Sequence, residues 1–208
     1  MWRYWWWKVF FSAFIQKREI KGIQVVRHFG GLSEQNTITK RLDDLEIPIG
    51  DGKIKAILIV IDSDSNPESN FRKAVKQIKE TGRFGIPTAF KDPAKIEGRP
   101  SIGILSIPDN ENGCLETLIL RLFENNERFT KAFACLESYF QCCELEKDGW
   151  DISKRSKMKM NALLTAACQD SPECRVLEMR QSKKKFRDLL DNESLNPLAD
   201  FLKDFANW

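Results

Sequence analysis

Two carboxylates one residue apart follow a strongly apolar run in the first third of the chain. Residues Ile57–Ile61 are all aliphatic, and Asp62, Ser63 and Asp64 come directly after them. Such a run is typical of a strand that is covered on both faces in a mostly parallel sheet. Ligands of open α/β sheets bind beyond the carboxyl ends of such strands. We therefore expect Asp62 and Asp64 to be ligands of a hard cation, with Ser63 lining the same site.

A second apolar run ends in similar chemistry. Ser101–Ile107 predicts another strong strand, and Asp109 and Asn110 follow it in a turn. A helix is then predicted with Glu116 in its first turn, where a carboxylate interacts favourably with the helix dipole. Glu116 is a candidate third metal ligand, and Asp109 and Asn110 are candidate lining residues. The alternatives are a dipole role for Glu116 and a turn or N-cap role for Asp109.

The elements around these runs predict an α/β fold. Strands and helices alternate up to about residue 123, and only helices are predicted after it. We expect a mostly parallel sheet with flanking helices over residues 1–125, and a helical C-terminal extension over residues 126–208 packed on it. Gly30 and Gly31, which end a short predicted strand, are further candidate lining residues. The other predicted elements are helices at 9–17, 33–45, 66–82, 126–143, 154–168, 183–190 and 198–205, a strand at 23–29, a turn-rich break at 47–52 and a loop or weak edge strand at 87–100.

The overall composition is that of a globular protein. Of 208 residues, 42% are hydrophobic and 30% are charged, which argues against intrinsic disorder. The net charge of +3 argues neither for nor against a nucleic-acid partner.

The thiols and the single histidine do not form a conventional zinc motif. The chain has six cysteines without a CxxC spacing, and His28 is its only histidine. With no signal peptide apparent, we expect reduced, mostly buried thiols in a cytoplasmic protein.

The aromatic N-terminal stretch, residues 1–11, has two interpretations. It could be an interfacial anchor, although it is too short to span a membrane. We favour an amphipathic helix that packs on the sheet through four apolar side chains, namely Phe10, Phe11, Phe14 and Ile15.

An Asp-x-Asp pair after a strand also occurs in phosphatases of the haloacid-dehalogenase type, where Asp62 would be the nucleophile and Asp64 the general acid. That motif normally lies near the N-terminus and is followed by a late acidic pair, which this chain lacks. A nucleotide-sugar transferase that uses Asp-x-Asp would need a longer chain.

Three segments together resemble a small prokaryotic Toprim-like family of unknown function (domain of unknown function 3226), namely Ile57–Asp64, Ile107–Asn110 and Gly113–Glu116. The resemblance implies a Toprim/Rossmann-like fold related to the nucleases of the overcoming-lysogenization type. In such domains an acidic cluster binds Mg²⁺, or Mn²⁺ in its place, for phosphoryl transfer on nucleic acid. It implies that Asp62 and Asp64 are metal ligands. The resemblance continues weakly to the end of the chain.

The chain departs from the Toprim pattern near its start. Toprim domains open with a strand ending in Val-Glu-Gly, and the aligned residues here are Trp2, Arg3 and Tyr4. Either the protein is catalytically degenerate, or its start has been truncated or misread, for example through a frameshift.

Two functions remain open. One is a Mg²⁺-dependent Toprim-type nuclease or phosphotransferase, which we favour as the ancestral activity. The other is a module on the same fold that binds a nucleotide, nucleic acid or protein without turnover. Lysine-rich helix faces could meet phosphate, although we interpret them first as solvated surface. They comprise Lys73, Lys76 and Lys79, then Lys154, Arg155, Lys157 and Lys159, then Lys183, Lys184 and Lys185.

Overall fold

A computed structural model describes residues 5–25, 37–127, 129–143, 149–167 and 188–208. It is a mixed α/β structure with a helical C-terminal region. Its elements are α1 (Trp5–Lys17), α2 (Thr37–Asp44), α3 (Glu46–Gly50), β1 (Ala56–Asp62), α4 (Pro67–Thr81), β2 (Ser101–Ile107), α5 (Leu115–Glu124), α6 (Thr130–Cys142), α7 (Ile152–Ala167) and α8 (Asn196–Phe205).

The two strands form a parallel pair. The register runs from Ala56 opposite Ser101 to Asp62 opposite Ile107, so the carboxyl ends of both strands lie at one edge. In the described residues this is a two-stranded sheet. Of the strand predicted at 23–29, residues 23–25 are not in strand conformation and the rest lies outside the described residues.

The two strands differ in burial. Every residue of β2 is buried, as its continuous apolar pattern predicts. In β1 only Ile61 is buried and the other residues are partly exposed, so the expectation of a fully covered strand is wrong for β1. The far edge of β2 is covered by the segment at 91–94, whose backbone hydrogen-bonds to that of Ile102 and Ile104. Within the described part of the chain, β1 pairs only with β2, which leaves more of it open.

Helices cover both faces of the sheet. Side chains of β2 alternate between the faces, with Ile102 and Ile104 in one hydrophobic cluster and Leu105 and Ile107 in the other. Helices α2, α3 and α4 complete the first cluster. Helices α1, α5, α6, α7 and α8 complete the second. Helices α1 and α5 thus share one hydrophobic cluster with α6 to α8. The domain boundary between residues 125 and 126 stays a prediction.

The first helix packs as expected. Phe10, Phe11, Phe14 and Ile15 are all at most 8% exposed and lie in the same cluster as Leu105 of the sheet. The interpretation as an amphipathic helix on the sheet is therefore confirmed. In the described residues, no helix combines the length and the apolar character needed to cross a membrane.

Helix α4 begins and ends at the predicted signals. Asn66 caps it, its side chain accepting a hydrogen bond from the Ser69 N–H at 2.8 Å. Gly82 ends it in the left-handed conformation with φ of 65°. Lys73 and Lys76 are exposed on its outer face, as expected of a solvated surface.

Several predicted boundaries and burial patterns are wrong. Residues 46–50 form the short helix α3 instead of a turn, and the helix predicted from residue 126 begins at Thr130. The predicted helix at 183–190 lies mostly outside the described residues. Cys135, Cys142 and Cys143 are exposed, contrary to the expected burial, because α6 packs through Leu136 and its other face meets solvent.

Candidate metal centre

Asp62 ends β1 and bridges three parts of the fold. Its Oδ1 accepts a hydrogen bond from the backbone N–H of Leu115, the first residue of α5, at 3.0 Å. Its Oδ2 lies 3.7 Å from Nζ of Lys157 on α7, and the side chain is 24% exposed. A carboxylate at a helix N-terminus is favourable because the helix dipole is positive there. Asp62 is therefore held in place but still open to solvent.

The first turn of α5 brings two more ligand groups beside Asp62. One ligand atom from each of Asp62, Cys114 and Glu116 lies within 4.8 Å of the other two. Cys114 is the N-cap residue of α5 and is fully buried, and Glu116 is 9% exposed. Two carboxylates and a thiol thus converge at the edge where both strands end. Such a group could hold a metal ion.

Ser63 and Asp64 hold the turn that follows β1. The buried Ser63 hydroxyl donates to the carbonyl oxygen of Pro108 at 2.6 Å. Asp64 adopts a φ of 50° and exchanges two backbone hydrogen bonds with Gly113, at 2.5 and 2.8 Å. Its carboxylate accepts a hydrogen bond from Asn70 Nδ2 at 3.3 Å. Asp64 is not a member of the group formed by Asp62, Cys114 and Glu116.

Gly113 and Thr117 fix the start of α5. Gly113 has a φ of 136°, and a Cβ there would lie 2.8 Å from Oγ1 of Thr117. That oxygen accepts a hydrogen bond from the Cys114 N–H at 3.1 Å and donates to Oγ of Ser156 on α7 at 2.8 Å. The region predicted as a C-terminal extension therefore helps to position the site.

Lys157 brings a positively charged side chain into the site. Its side chain is 20% exposed, and that of Lys159, paired with Glu137 at 2.8 Å, is 19% exposed. The expectation of a solvated surface is therefore wrong for these two lysines. Lys157 places a positive charge against Asp62, which compensates part of the negative charge gathered there.

Burial shifts the proton equilibria of the site. It raises the pKa of Asp62 from 3.8 to about 7; the charge of Lys157 opposes this rise, and the charge of Glu116 adds to it. Burial likewise raises the pKa of the Cys114 thiol to about 12, with Glu116 contributing. For Lys157, burial would lower the pKa, but the charge of Asp62 and its acidic neighbours outweighs burial and raises it.

The acidic residue that follows β2, Asp109, has a different environment from Asp62. Asp109 forms an ion pair with Lys91, and both side chains are about one-third exposed, at 33% and 29%. Nζ of Lys91 also lies 5.6 Å from the centre of the Phe201 ring. Asn110 is exposed in the turn with a φ of 56°. Gly30 and Gly31 lie outside the described residues.

Sequence reasoning did not assign Cys114, Lys157 or Asn70 to the site. Zinc motifs are recognised by paired cysteines, whereas here the single thiol of Cys114 is combined with two carboxylates. Its position two residues before Glu116, at a predicted helix start, was the available signal. Asn70 donates to the backbone oxygen of Asp62 at 3.1 Å from within α4. For Lys157, no local pattern indicates that α7 reaches the strand ends.

The arrangement can perform two kinds of chemistry. Its carboxylates can bind a cation, with water filling the positions that the protein leaves open. Asp62 can also exchange a proton near neutral pH, since burial raises its pKa to about 7.

Comparison with known proteins identifies a family but no characterised relative. Neither a curated protein nor a solved structure matches the chain. One family matches over residues 8–208, and its description is a protein of unknown function (DUF3226). Since this match spans nearly the whole chain, the protein belongs to the DUF3226 family.

Proposed function

We propose that this protein is Toprim-like and binds a divalent cation, Mg²⁺ or Mn²⁺, at Asp62 and Glu116, in a site descended from one for phosphoryl transfer on nucleic acid. The convergence of these carboxylates at the carboxyl edge of a parallel strand pair carries the proposal. The strand motifs that resemble Toprim domains supply the expected chemistry.

The position of Glu116 supports a cation. The residue is 9% exposed, and its charge acts on both Asp62 and Lys157. Two carboxylates this close together repel each other, and a bound cation would offset that repulsion. Mg²⁺ is commonly held by one or two carboxylates and several waters, which fits Asp62 and Glu116. Asp64 would then act through a metal-bound water.

Calorimetric titration of Mn²⁺ tests the site. We expect binding by the parent chain and at least a roughly 100-fold loss of affinity in Asp62→Asn/Glu116→Gln, because both ligating charges are removed. Asp109→Asn is the matched control, since Asp109 is paired with Lys91 and should leave Mn²⁺ affinity unchanged. Equal Mn²⁺ binding by parent and double variant would refute the proposed site.

A nuclease assay with Mn²⁺ tests the chemistry. By resemblance, the chain lacks the catalytic glutamate, so we expect little cleavage by the parent protein. A variant that restores Val-Glu-Gly, Trp2→Val/Arg3→Glu/Tyr4→Gly, should gain Mn²⁺-dependent cleavage of DNA or RNA. That gain should vanish when Asp62→Asn is added. Cleavage that survives Asp62→Asn would contradict the assignment.

Lys157 favours a second candidate, a binding module without turnover. Its ammonium already supplies positive charge beside Asp62, where a catalytic cation would otherwise lie. In that case the protein would bind nucleic acid without Mn²⁺, and its affinity would fall steeply with salt. Measuring RNA and DNA affinity between low and physiological salt tests this. An absence of binding at low salt would exclude a nucleic-acid partner.

A further inference from the structure

We propose that α6 carries a dimer contact, at which a second copy of this chain packs its own α6 antiparallel on the outer face of the helix. Four exposed residues form this contact, which we call the α6 seam, namely Ala132, Cys135, Tyr139 and Cys142. None of them belongs to the group of ligand atoms around Asp62. The contact can therefore exist whether or not a cation binds at that site.

The α6 seam has the spacing of a helix that packs against another helix. Its residues follow one another at intervals of three, four and three residues. This heptad spacing keeps side chains on one face of a helix and is typical of helices that pack side by side. The buried residues of α6, Leu136 and Phe140, lie on a different side and pack in the core of the chain. Helix α6 therefore has one packing face inside the chain and a second one outside.

The exposed side of α6 lacks the charges that usually cover a solvated helix. Charged residues make up 30% of the chain, yet within Ala132–Cys142, all of which the structure describes, no exposed residue is charged. Glu137, the charged residue of this stretch, is only partly exposed and pairs with Lys159 of α7 at 2.8 Å. Tyr139, in the middle of the α6 seam, is 54% exposed. Because a solvated helix face normally carries charged residues, this face is suited to contact with another surface.

The charges at the two ends of α6 favour a second copy in the antiparallel orientation. Lys131 is exposed in the first turn, where the helix dipole is positive, and the last turn contains no basic residue. Neither end of the dipole is therefore compensated by the helix itself. In an antiparallel pair, Lys131 of each copy lies beside the C-terminal end of the other α6, where a cation is stabilising. A parallel pair would instead place the two Lys131 side chains together.

The sizes of the side chains match in the same orientation. With the two-fold axis at the midpoint of the α6 seam, Cys135 faces Tyr139 of the second copy, and Ala132 faces Cys142 of the second copy. Each large ring then meets a small side chain, as the interdigitation of packed helices requires. Complementarity of α6 with itself in both charge and size is the reason to assign a second copy as the occupant.

The contact is short, so the dimer should be weak. Helix α6 has 13 residues, which corresponds to a length of about 20 Å. One such helix pair lies at the small end of specific interfaces, below roughly 1,200 Å² of buried surface. We therefore expect a reversible dimer with a dissociation constant on the order of tens of micromolar.

Analytical ultracentrifugation of the full chain over a concentration series tests the contact, with a reducing agent present so that disulfides do not form. We expect a monomer–dimer equilibrium. Tyr139→Glu should weaken dimerisation at least about 100-fold, because it buries two carboxylates in the contact. Gln141→Glu is the control, since it introduces the same charge on an exposed position of the same helix outside the α6 seam. It should change the dissociation constant by less than about twofold, because water and salt screen a charge there.

A disulfide trap tests the orientation. The chain should carry Ala132→Cys, keep Cys142 and the buried Cys114, and have serine at the other cysteines (positions 135, 143, 168 and 174). Positions 132 and 142 lie about 15 Å apart along one helix, too far for a disulfide within one chain. Oxidised glutathione should therefore link position 132 of one copy to Cys142 of the other. Ala134→Cys in the same background should stay monomeric, whereas a dimer linked through Cys142 of both copies would overturn the antiparallel arrangement.

Lys131→Glu separates the contact from effects on folding. It should stabilise α6 within each chain, because an acidic residue suits a helix N-terminus, yet weaken dimerisation about threefold to tenfold. A parent chain that stays monomeric at millimolar concentration overturns the proposal. In that case, a lower unfolding temperature of Tyr139→Glu would show that the chain itself covers the α6 seam, and an unchanged one would leave the face to solvent or to a different protein. Equal dimerisation by Tyr139→Glu and Gln141→Glu would also overturn the proposal.

Discussion

The two parallel strands end in acidic residues at the same edge, yet the two ends have different properties. At the end of β1, Asp62 lies against the N-terminus of α5, the buried Glu116 and a partly buried Lys157. At the end of β2, Asp109 pairs with Lys91 near the surface. The comparison teaches that a carboxylate after a strand becomes a candidate site only when other elements enclose it.

The difference has a direct electrostatic cause. A partly exposed ion pair near the surface, such as Asp109–Lys91, contributes only about 0–1 kcal/mol, because water screens both charges. Around Asp62, burial removes much of that screening, so the charges of Glu116 and Lys157 act strongly on its proton affinity. The contrast can be tested by changing residues around Asp62 and comparing each variant with a matched change elsewhere.

The largest effect is expected where the chain ties the end of β1 to the start of α5. Gly113→Ala adds a Cβ within 2.8 Å of Thr117 Oγ1 at a φ of 136°. We expect a loss of about 3 kcal/mol in the free energy of unfolding, from backbone strain and overpacking together. Chemical denaturation measures it.

Gly82→Ala is the matched control for Gly113→Ala. Gly82 also has a positive φ, of 65°, but open space surrounds its Cβ position. The backbone cost alone should be about 1–2 kcal/mol. Equal losses in the two variants would show that the contact with Thr117 is unimportant.

The next effect concerns pH. In the native state Asp62 keeps its proton up to a pH of about 7, whereas in the unfolded chain it ionises near 3.8. Between these values the unfolded state binds fewer protons, so stability falls as pH rises from about 4 to about 7. Asp62→Asn removes this loss and should raise the free energy of unfolding at pH 8 by on the order of 2 kcal/mol.

Denaturation of Asp62→Asn at pH 5 and pH 8 measures this effect, with Asp109→Asn as the counterpart. Asp109→Asn should change stability by no more than about 1 kcal/mol at either pH, because its ion pair with Lys91 lies near the surface and water partly screens it. A stabilisation by Asp62→Asn that is the same at both pH values would contradict the raised pKa.

The smallest effect concerns the two lysines. Lys157→Met removes the positive charge that lies 3.7 Å from Asp62 and should strengthen Mn²⁺ binding about tenfold, which corresponds to about 1.4 kcal/mol. Lys91→Met should leave Mn²⁺ affinity unchanged, since Lys91 pairs with Asp109. Calorimetry compares the two. Weaker Mn²⁺ binding in Lys157→Met would instead indicate that Lys157 organises the site.

Much of the framework could be predicted from sequence. The apolar run of β2, the N-cap and C-cap residues of α4, and the four apolar side chains of α1 all correspond to what the structure shows. These features depend on local periodicity and capping, which neighbouring residues determine. The exposure of β1 and the exposed thiols of α6 could not be predicted, because they depend on which elements pack beside them.

For the site, the sequence by itself determined that Asp62 and Glu116 stand at a strand end and at a helix start. Tertiary structure alone decided that Cys114 lies beside them, that Asp109 pairs with Lys91, and that Lys157 reaches Asp62 from α7. The physical reason is that spacing along the chain specifies local geometry. Burial and charge at a site depend on packing between segments that are distant in sequence.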